Sequence, residues 1–251
     1  MASASSPTSN MNVEETNKRK EKFIEKLKGH DVKMRFSKAF TVFYMTNPDM
    51  PVQGIYWEHM KCKILNKFCD ITDQANGGHK SGKDNKVDDF NMSDKTTRID
   101  NKNTLNVSSY RLTKVTDMKN PGNKNDILRE IEKRDNTFDY FSILVKRDNY
   151  NSITYEWYVI PKDYYLFKID PNDFSEKFGK QGKNKDNIIG WKWKYGEITF
   201  SMSSQIWYSF DINCIKQFRI HSIKLNHNLP TIDCEELYKL ITDNGYVIEN
   251  E

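Results

Sequence analysis

The chain has 251 residues and a mass of 29.7 kDa, which suits one domain with its own core, since domains commonly run to roughly 100–200 residues. Lys and Arg total 39 against 35 Asp and Glu, a formal net charge of +4 that is mildly basic and far from histone-like. Charged residues reach 29 % and mean hydropathy is −0.82, yet aromatics at 13 % exclude a disordered chain. No run approaches the ~20 apolar residues of a membrane span. The start, MASASSPTSN, lacks the basic and apolar regions of a secretory signal, so a cytoplasmic protein is expected, without a membrane partner. Cys62, Cys69, Cys214 and Cys234 form no C-x-x-C pair, and no histidine stands at zinc-finger spacing. These are the cysteines of a reduced protein without structural zinc.

In chain order, residues 1–12 read as a disordered Ser/Ala/Asn-rich tail, followed by one domain over 13–251. Residues 13–28 predict a helix with Glu14 and Glu15 at its start and Lys26 and Lys28 at its end, the order the helix dipole favours. Residues 34–45 fit strand or helix equally. Residues 54–69 predict a second helix, carrying Glu58. A Gly-rich polar loop covers 70–86. Two short segments, 87–92 and 96–104, flank Ser93-Asp94-Lys95, which predicts a β-hairpin turning at 93–95. Residues 105–116 continue as an extended piece, 125–134 as a short helix, and 138–147 and 153–162 as two strong strands. Aromatic-rich strands follow. Residues 233–245 close the chain as a helix with Asp233 as its N-cap. The order predicts a mixed α/β domain.

The stretch with the most chemistry is Lys86-Val87-Asp88-Asp89-Phe90 followed by Ile99-Asp100-Asn101-Lys102. Residues i and i+2 of a strand share a face, so Asp100 and Lys102 project side by side. If the two segments pair through a 93–95 turn, Asp89 comes within reach of Asp100. Two converging carboxylates suit a hard cation such as Mg²⁺. A neighbouring ammonium stabilises a metal-bound hydroxide or the charge growing on a phosphate.

This arrangement resembles the PD-(D/E)xK nucleases, and within them the type II restriction endonucleases. Their pattern is an acidic residue opening one strand, a spacer, then (D/E)-x-K on the next. Asp89-Phe90 matches the first element and Asp100-Asn101-Lys102 the second; Asp88 stands where the family has proline, and either Asp88 or Asp89 can be the first ligand. Many members add a Glu from a preceding helix, the place of Glu58. Ile99-Asp100-Asn101-Lys102-Asn103-Thr104 is similar in layout to the IDxKTT of blunt-cutting members. The resemblance covers about residues 53–165, leaving 166–251 as a β-rich C-terminal part for recognition or dimerisation. It implies a restriction-endonuclease-like α/β core, a central mixed sheet of about five strands with helices on both sides. It further implies Mg²⁺-dependent, sequence-specific cleavage of double-stranded DNA leaving 5′-phosphates. Asp89, Asp100 and Glu58 would hold the metal and Lys102 would serve the attacking water. A homodimer reading a palindrome and a cognate DNA methyltransferase are implied as partners.

Other stretches bear on DNA contact. Gly77-Gly78-His79-Lys80-Ser81-Gly82-Lys83 nearly spells a phosphate-binding loop, but Asp84 stands where the Mg²⁺-binding hydroxyl belongs; Lys80 and Lys83 are expected on the DNA backbone instead. Ser108, Ser109, Tyr110 and Arg111 lie just past Lys102, where that backbone would pass. Trp191-Lys192-Trp193-Lys194 places its tryptophans on one strand face and Lys192 and Lys194 on the other, available to phosphates. Ser203, Ser204 and Gln205 offer hydrogen-bond donors for bases or phosphates.

Overall fold

The computed structural model describes residues 7–72, 82–99, 103–116, 122–200 and 204–243. Three helices open the chain: α1 (Pro7–Leu27), α2 (His30–Thr46) and α3 (Gly54–Leu65). The first begins inside the stretch expected as a disordered tail, with a proline at its first position, where a pre-set φ suits a helix. The ambiguous 34–45 segment is helical. Val32, Phe36, Phe40 and Tyr44 recur every fourth residue and are all buried, a stripe that only a helix brings to one face.

The strands follow: β1 (Ile71–Thr72), β2 (Asn85–Val87), β3 (Phe90–Ile99) and β4 (Thr104–Arg111), then helix α4 (Lys124–Asp135). Next come β5 (Tyr140–Asn149), β6 (Ser152–Pro161), β7 (Ser175–Phe178), β8 (Ile188–Trp193), β9 (Gly196–Thr199), β10 (Gln205–Asp211) and β11 (Arg219–Asn226), and finally helix α5 (Cys234–Asp243). Asp233 caps α5 as expected: its Oδ1 accepts the Glu236 N–H at 2.8 Å, and Glu236 Oε2 faces the Asp233 N–H at 3.4 Å, a reciprocal capping box.

The protein is a mixed α/β fold, with two sheets among the described residues. The first has six strands in the order β1-β2-β3-β5-β6-β11, antiparallel throughout except for the parallel pair β3 and β5. The second has five, in the order β4-β10-β9-β8-β7, all antiparallel. Strand alternation gives the first sheet two apolar faces. Tyr140, Leu144, Tyr155, Trp157 and Val159 pack under α1, α2 and α3. Phe141, Ile143, Val145, Tyr158 and Ile160 face the second sheet and α4. Helices were expected on both sides of the central sheet; on this second face α4 shares the cover with a sheet.

Gly190 is required by close approach within that second sheet. A Cβ there would stand 1.9 Å from the Ile198 carbonyl oxygen, a backbone atom that cannot swing away. Gly190→Ala is expected to cost about 2–4 kcal/mol, seen as a lower urea midpoint. An unchanged midpoint would mean that β8 and β9 do not pack this closely. Among the described residues no helix is long and apolar enough to cross a membrane.

Candidate functional site

The hairpin turn begins five residues earlier than its sequence suggests. Val87 pairs with Phe90, so the connection is Asp88-Asp89, with Asp88 in the left-handed region at φ 49°, a conformation that aspartate tolerates better than most residues. Ser93-Asp94-Lys95, expected as the turn, lies inside β3. The 93–95 turn expected to bring Asp89 to Asp100 is therefore not formed. Asp89 stands at the start of β3. Asp89 is an exposed turn residue ion-paired with Arg19 of α1. Asp88 Oδ2 accepts from Lys26 of the same helix at 2.7 Å, and Asp88 Oδ1 accepts the Asp70 N–H at 2.9 Å. The acidic pair thus ties the hairpin tip to α1. Asp100 and Lys102 lie outside the described residues, as do Lys80 and Ser203.

A different set of ionisable groups meets in the middle of β3. Met92 packs under the helices, so alternation sends Asp94 to the same face, where α3 crosses. There Lys61 Nζ donates to Asp94 Oδ1 at 2.6 Å and Oδ2 at 2.8 Å, and to Asn85 Oδ1 at 2.9 Å. Asn85 returns a bond from Nδ2 to Asp94 Oδ2. All three are buried: Lys61 is 0 % exposed, Asn85 1 % and Asp94 3 %. Asp84 sits just ahead of β2, where pairing with β3 stops at Asn85–Met92. Beyond that point β3 has an open edge among the described residues. The Asp84 carboxylate fills it, with Oδ2 accepting the Asp94 N–H at 2.6 Å and Lys95 Nζ at 3.1 Å. It takes the place of the carbonyl that a longer β2 would have supplied.

Glu58 completes the set. It stands three residues before Lys61 on α3, a spacing that stacks side chains on one helix face. Burial, and then the negative charges of Asp84 and Asp94, push its carboxyl up to about 7, against the opposing pull of Lys95 and Lys61. Among the described residues its carboxylate has no hydrogen-bond partner.

This raised value fixes the sign of a stability effect. The folded group holds its proton to about pH 7 and the unfolded one only to about 4.5. The folded state therefore binds more protons across that window, and stability falls as pH rises through it. Glu58→Gln removes the loss. It is expected to be more stable than the parent at pH 8 by about 1 kcal/mol, discounted for screening at a half-exposed group, and indistinguishable near pH 4. Thermal melts at both values check it; equal melting temperatures at pH 8 would show that Glu58 does not feel the other two carboxylates.

The remaining sequence candidates separate into two groups. Lys83 is half-buried, Ser108 is half-buried on β4, and Arg111, Lys192 and Lys194 are exposed. Trp191 and Trp193 are buried between the sheets, as the alternation predicted. Lys192 and Lys194 therefore project from the outer face of the second sheet, with both sheets between them and Glu58. The others are internal. Ser109 and Tyr110 are buried, and Tyr110 Oη donates to Asp135 Oδ1 at 2.8 Å. Ser204 is buried, with Oγ donating to the Thr116 carbonyl at 3.2 Å, and Gln205 Nε2 donates to the Ser109 carbonyl at 2.9 Å. Of these contacts only the Gln205–Ser109 bond crosses the β4–β10 seam; Tyr110 is tied to α4 and Ser204 to the end of the loop after β4.

Of this cluster Glu58 alone was among the residues expected from the sequence; Lys61, Asp84, Asn85, Asp94 and Lys95 were not. One signal was present: Asp84 is the residue that spoils the near-match to a phosphate-binding loop. Comparison with known protein families, with curated proteins and with solved structures finds no match to this chain.

Proposed function

We propose that this protein is a Mg²⁺-dependent nuclease acting on double-stranded DNA, a type II restriction endonuclease of the PD-(D/E)xK kind, with its site at Glu58, Asp84, Asp94, Lys61 and Lys95. One observation carries the reading. An acidic residue opening one strand, a second on the next strand and a Glu from the preceding helix meet at the point where β2 leaves β3. That is the pattern whose resemblance was drawn for Asp89 and Asp100, displaced to Asp84 and Asp94. The match departs in one respect. Thr96 stands two residues after Asp94, where the pattern has lysine, and the nearby ammoniums come from Lys95 and from Lys61 on the helix.

The donor chemistry suits a hard cation. Glu58 and Asp84 each keep carboxylate lone pairs, and Asp94, although held by Lys61, retains more. Burial, and then the charges of Asp84 and Asp94, keep a proton on Glu58, and a divalent cation would relieve the repulsive part. Among the described residues no group of three or more His, Cys, Asp or Glu side chains stands in metal-holding arrangement, so occupancy requires the Glu58 and Asp84 side chains to turn. These two and Asp94 would hold Mg²⁺, which polarises a phosphate and acidifies water.

The chain's own groups divide the remaining work. Lys61 is too deeply buried to touch substrate; it holds Asp94 in one orientation. Lys95, partly exposed beside Asp84, would face the charge that grows on a phosphate in the transition state. Glu58 would complete the metal shell from the helix side, directly or through a water. Reading a palindrome calls for a two-fold dimer, and host protection for a cognate DNA methyltransferase.

Incubation with unmethylated plasmid and phage DNA in Mg²⁺, beside an EDTA control, tests the reading. Discrete fragments that EDTA abolishes are expected, and their ends give the recognition site. Smearing or cleavage of branched DNA would instead mark a structure-specific nuclease. Binding without any cleavage would overturn the catalytic reading.

A further inference from the structure

Past Asp94, the face of β3 that carries it runs on into a groove. β3 and β5 pair in parallel with Asp94 opposite Ser142, Thr96 opposite Leu144 and Arg98 opposite Lys146. Alternation keeps Asp94, Thr96 and Arg98 on one face, with Ser142, Leu144 and Lys146 beside them. The helices that cover this face further back give way here to the loop after α2. The groove that results is lined by Asp49, Val52, Thr96, Arg98, Leu144 and Lys146, among others.

We propose that this groove seats a backbone phosphate of the DNA strand, a few nucleotides from the phosphodiester at Glu58, Asp84 and Asp94, with Arg98 and Lys146 as its ligands. The inference rests on the nuclease reading and adds to it where the strand runs.

Two cations stand side by side at one register of the parallel pair, and neither is committed to a strong partner. The Arg98 side chain is 70 % exposed and meets Asp148 at only 3.4 Å, a surface pair of little worth. Lys146 Nζ has no hydrogen-bond partner among the described residues. Burial is the main cause of the lowered pKa of its ammonium, and Arg98 adds to it, against Asp148 and Asp49. A phosphate placed between the cations would offset both the desolvation and the repulsion. Among the described residues Asp49 is the one carboxylate on the lining, and it stands exposed. Val52 and Leu144 supply an apolar floor that suits a sugar face rather than a small hydrated anion. Thr96 lies about 7 Å along the strand from Asp94 and Arg98 about 13 Å, so the groove is within a few nucleotides of the carboxylates.

The test is binding of a fluorescein-labelled DNA duplex to the full-length protein in EDTA, followed by anisotropy over a KCl series. Parent, Arg98→Ala and the Arg98→Ala/Lys146→Ala pair are compared, with melting temperatures confirming that each is folded. Removing one phosphate-binding cation lowers the slope of log affinity against log salt by about 0.9, so the double variant is expected to bind more weakly with a slope smaller by about 1.8. A parent that binds and a double variant with the same slope would overturn the groove assignment and leave the nuclease reading standing. A parent that fails to bind DNA at all would overturn both. Inorganic phosphate at matched ionic strength is expected to leave the curves in place; displacement by phosphate and not by chloride would assign the groove to a free anion and overturn the strand assignment.

Discussion

Lys61→Met is expected to destabilise the protein by about 3–5 kcal/mol, the usual cost of removing one partner from a buried ion pair. Methionine keeps most of the stem's volume, so the loss comes from charge rather than from a cavity. What remains is the Asp94 carboxylate, 3 % exposed, with the Asn85 amide and no cation in contact. Urea denaturation reads the effect as a fall in midpoint at unchanged slope. Lys61→Met/Asp94→Asn separates charge from packing: with the stranded carboxylate neutralised, the double variant is expected to recover about 1–3 kcal/mol relative to the sum of the single changes. Strictly additive losses would mean that the two side chains do not meet. A small loss from Lys61→Met alone would mean that the ammonium is not buried where α3 crosses β3.

The second large effect concerns activity and decides between two sets of residues. Asp84→Asn and Asp94→Asn are each expected to lower the DNA cleavage rate by about 10²–10³, the range seen when one electrostatic group facing a transition state is removed. Asp84→Asn is the cleaner variant, because Asp84 is only partly buried and the amide keeps its shape. Asp89→Asn is expected to cleave at the parent rate, since Asp89 is bound to Arg19 at the hairpin tip. Initial rates of plasmid nicking and linearisation check all three, with melting temperatures as the control for folding. Loss of cleavage in Asp89→Asn together with a normal rate in Asp84→Asn would return the site to Asp89, Asp100 and Lys102 and overturn the assignment at β2 and β3.

The misplacement of the hairpin has a specific cause. Val-Asp-Asp-Phe and Ser-Asp-Lys are both polar interruptions between strand-like segments, and neither contains glycine or proline to mark it as a turn. The choice between them was made by packing. Turning at Asp88-Asp89 buries Met92 under α1, α2 and α3 and lets Lys26 and Arg19 reach the two turn carboxylates. Turning at 93–95 would have left Met92 beside a solvent loop. A shift of several residues along one strand exchanges which aspartate is at the tip and which is in the interior, and here it moved the candidate site from Asp89 to Asp94.

The features legible in the chain before folding are local or compositional. The helices over 13–28, 54–69 and 125–134, the strands over 138–147 and 153–162, the Asp233 cap and the inward tryptophans of β8 all follow from periods of 3.6 and 2 or from spacings of a few residues, and each can be read without knowing its neighbours. Glu58 was legible too, as a carboxylate on a helix ahead of the strands. Which of the chain's many aspartates and lysines come together was settled by packing alone. Lys61 and Asp94 are 33 residues apart, and a lysine in a charged helix carries no mark of burial. It is dry because α3 crosses β3 at that point, and Asp84 is beside it because β2 stops short and, among the described residues, leaves the β3 edge unpaired.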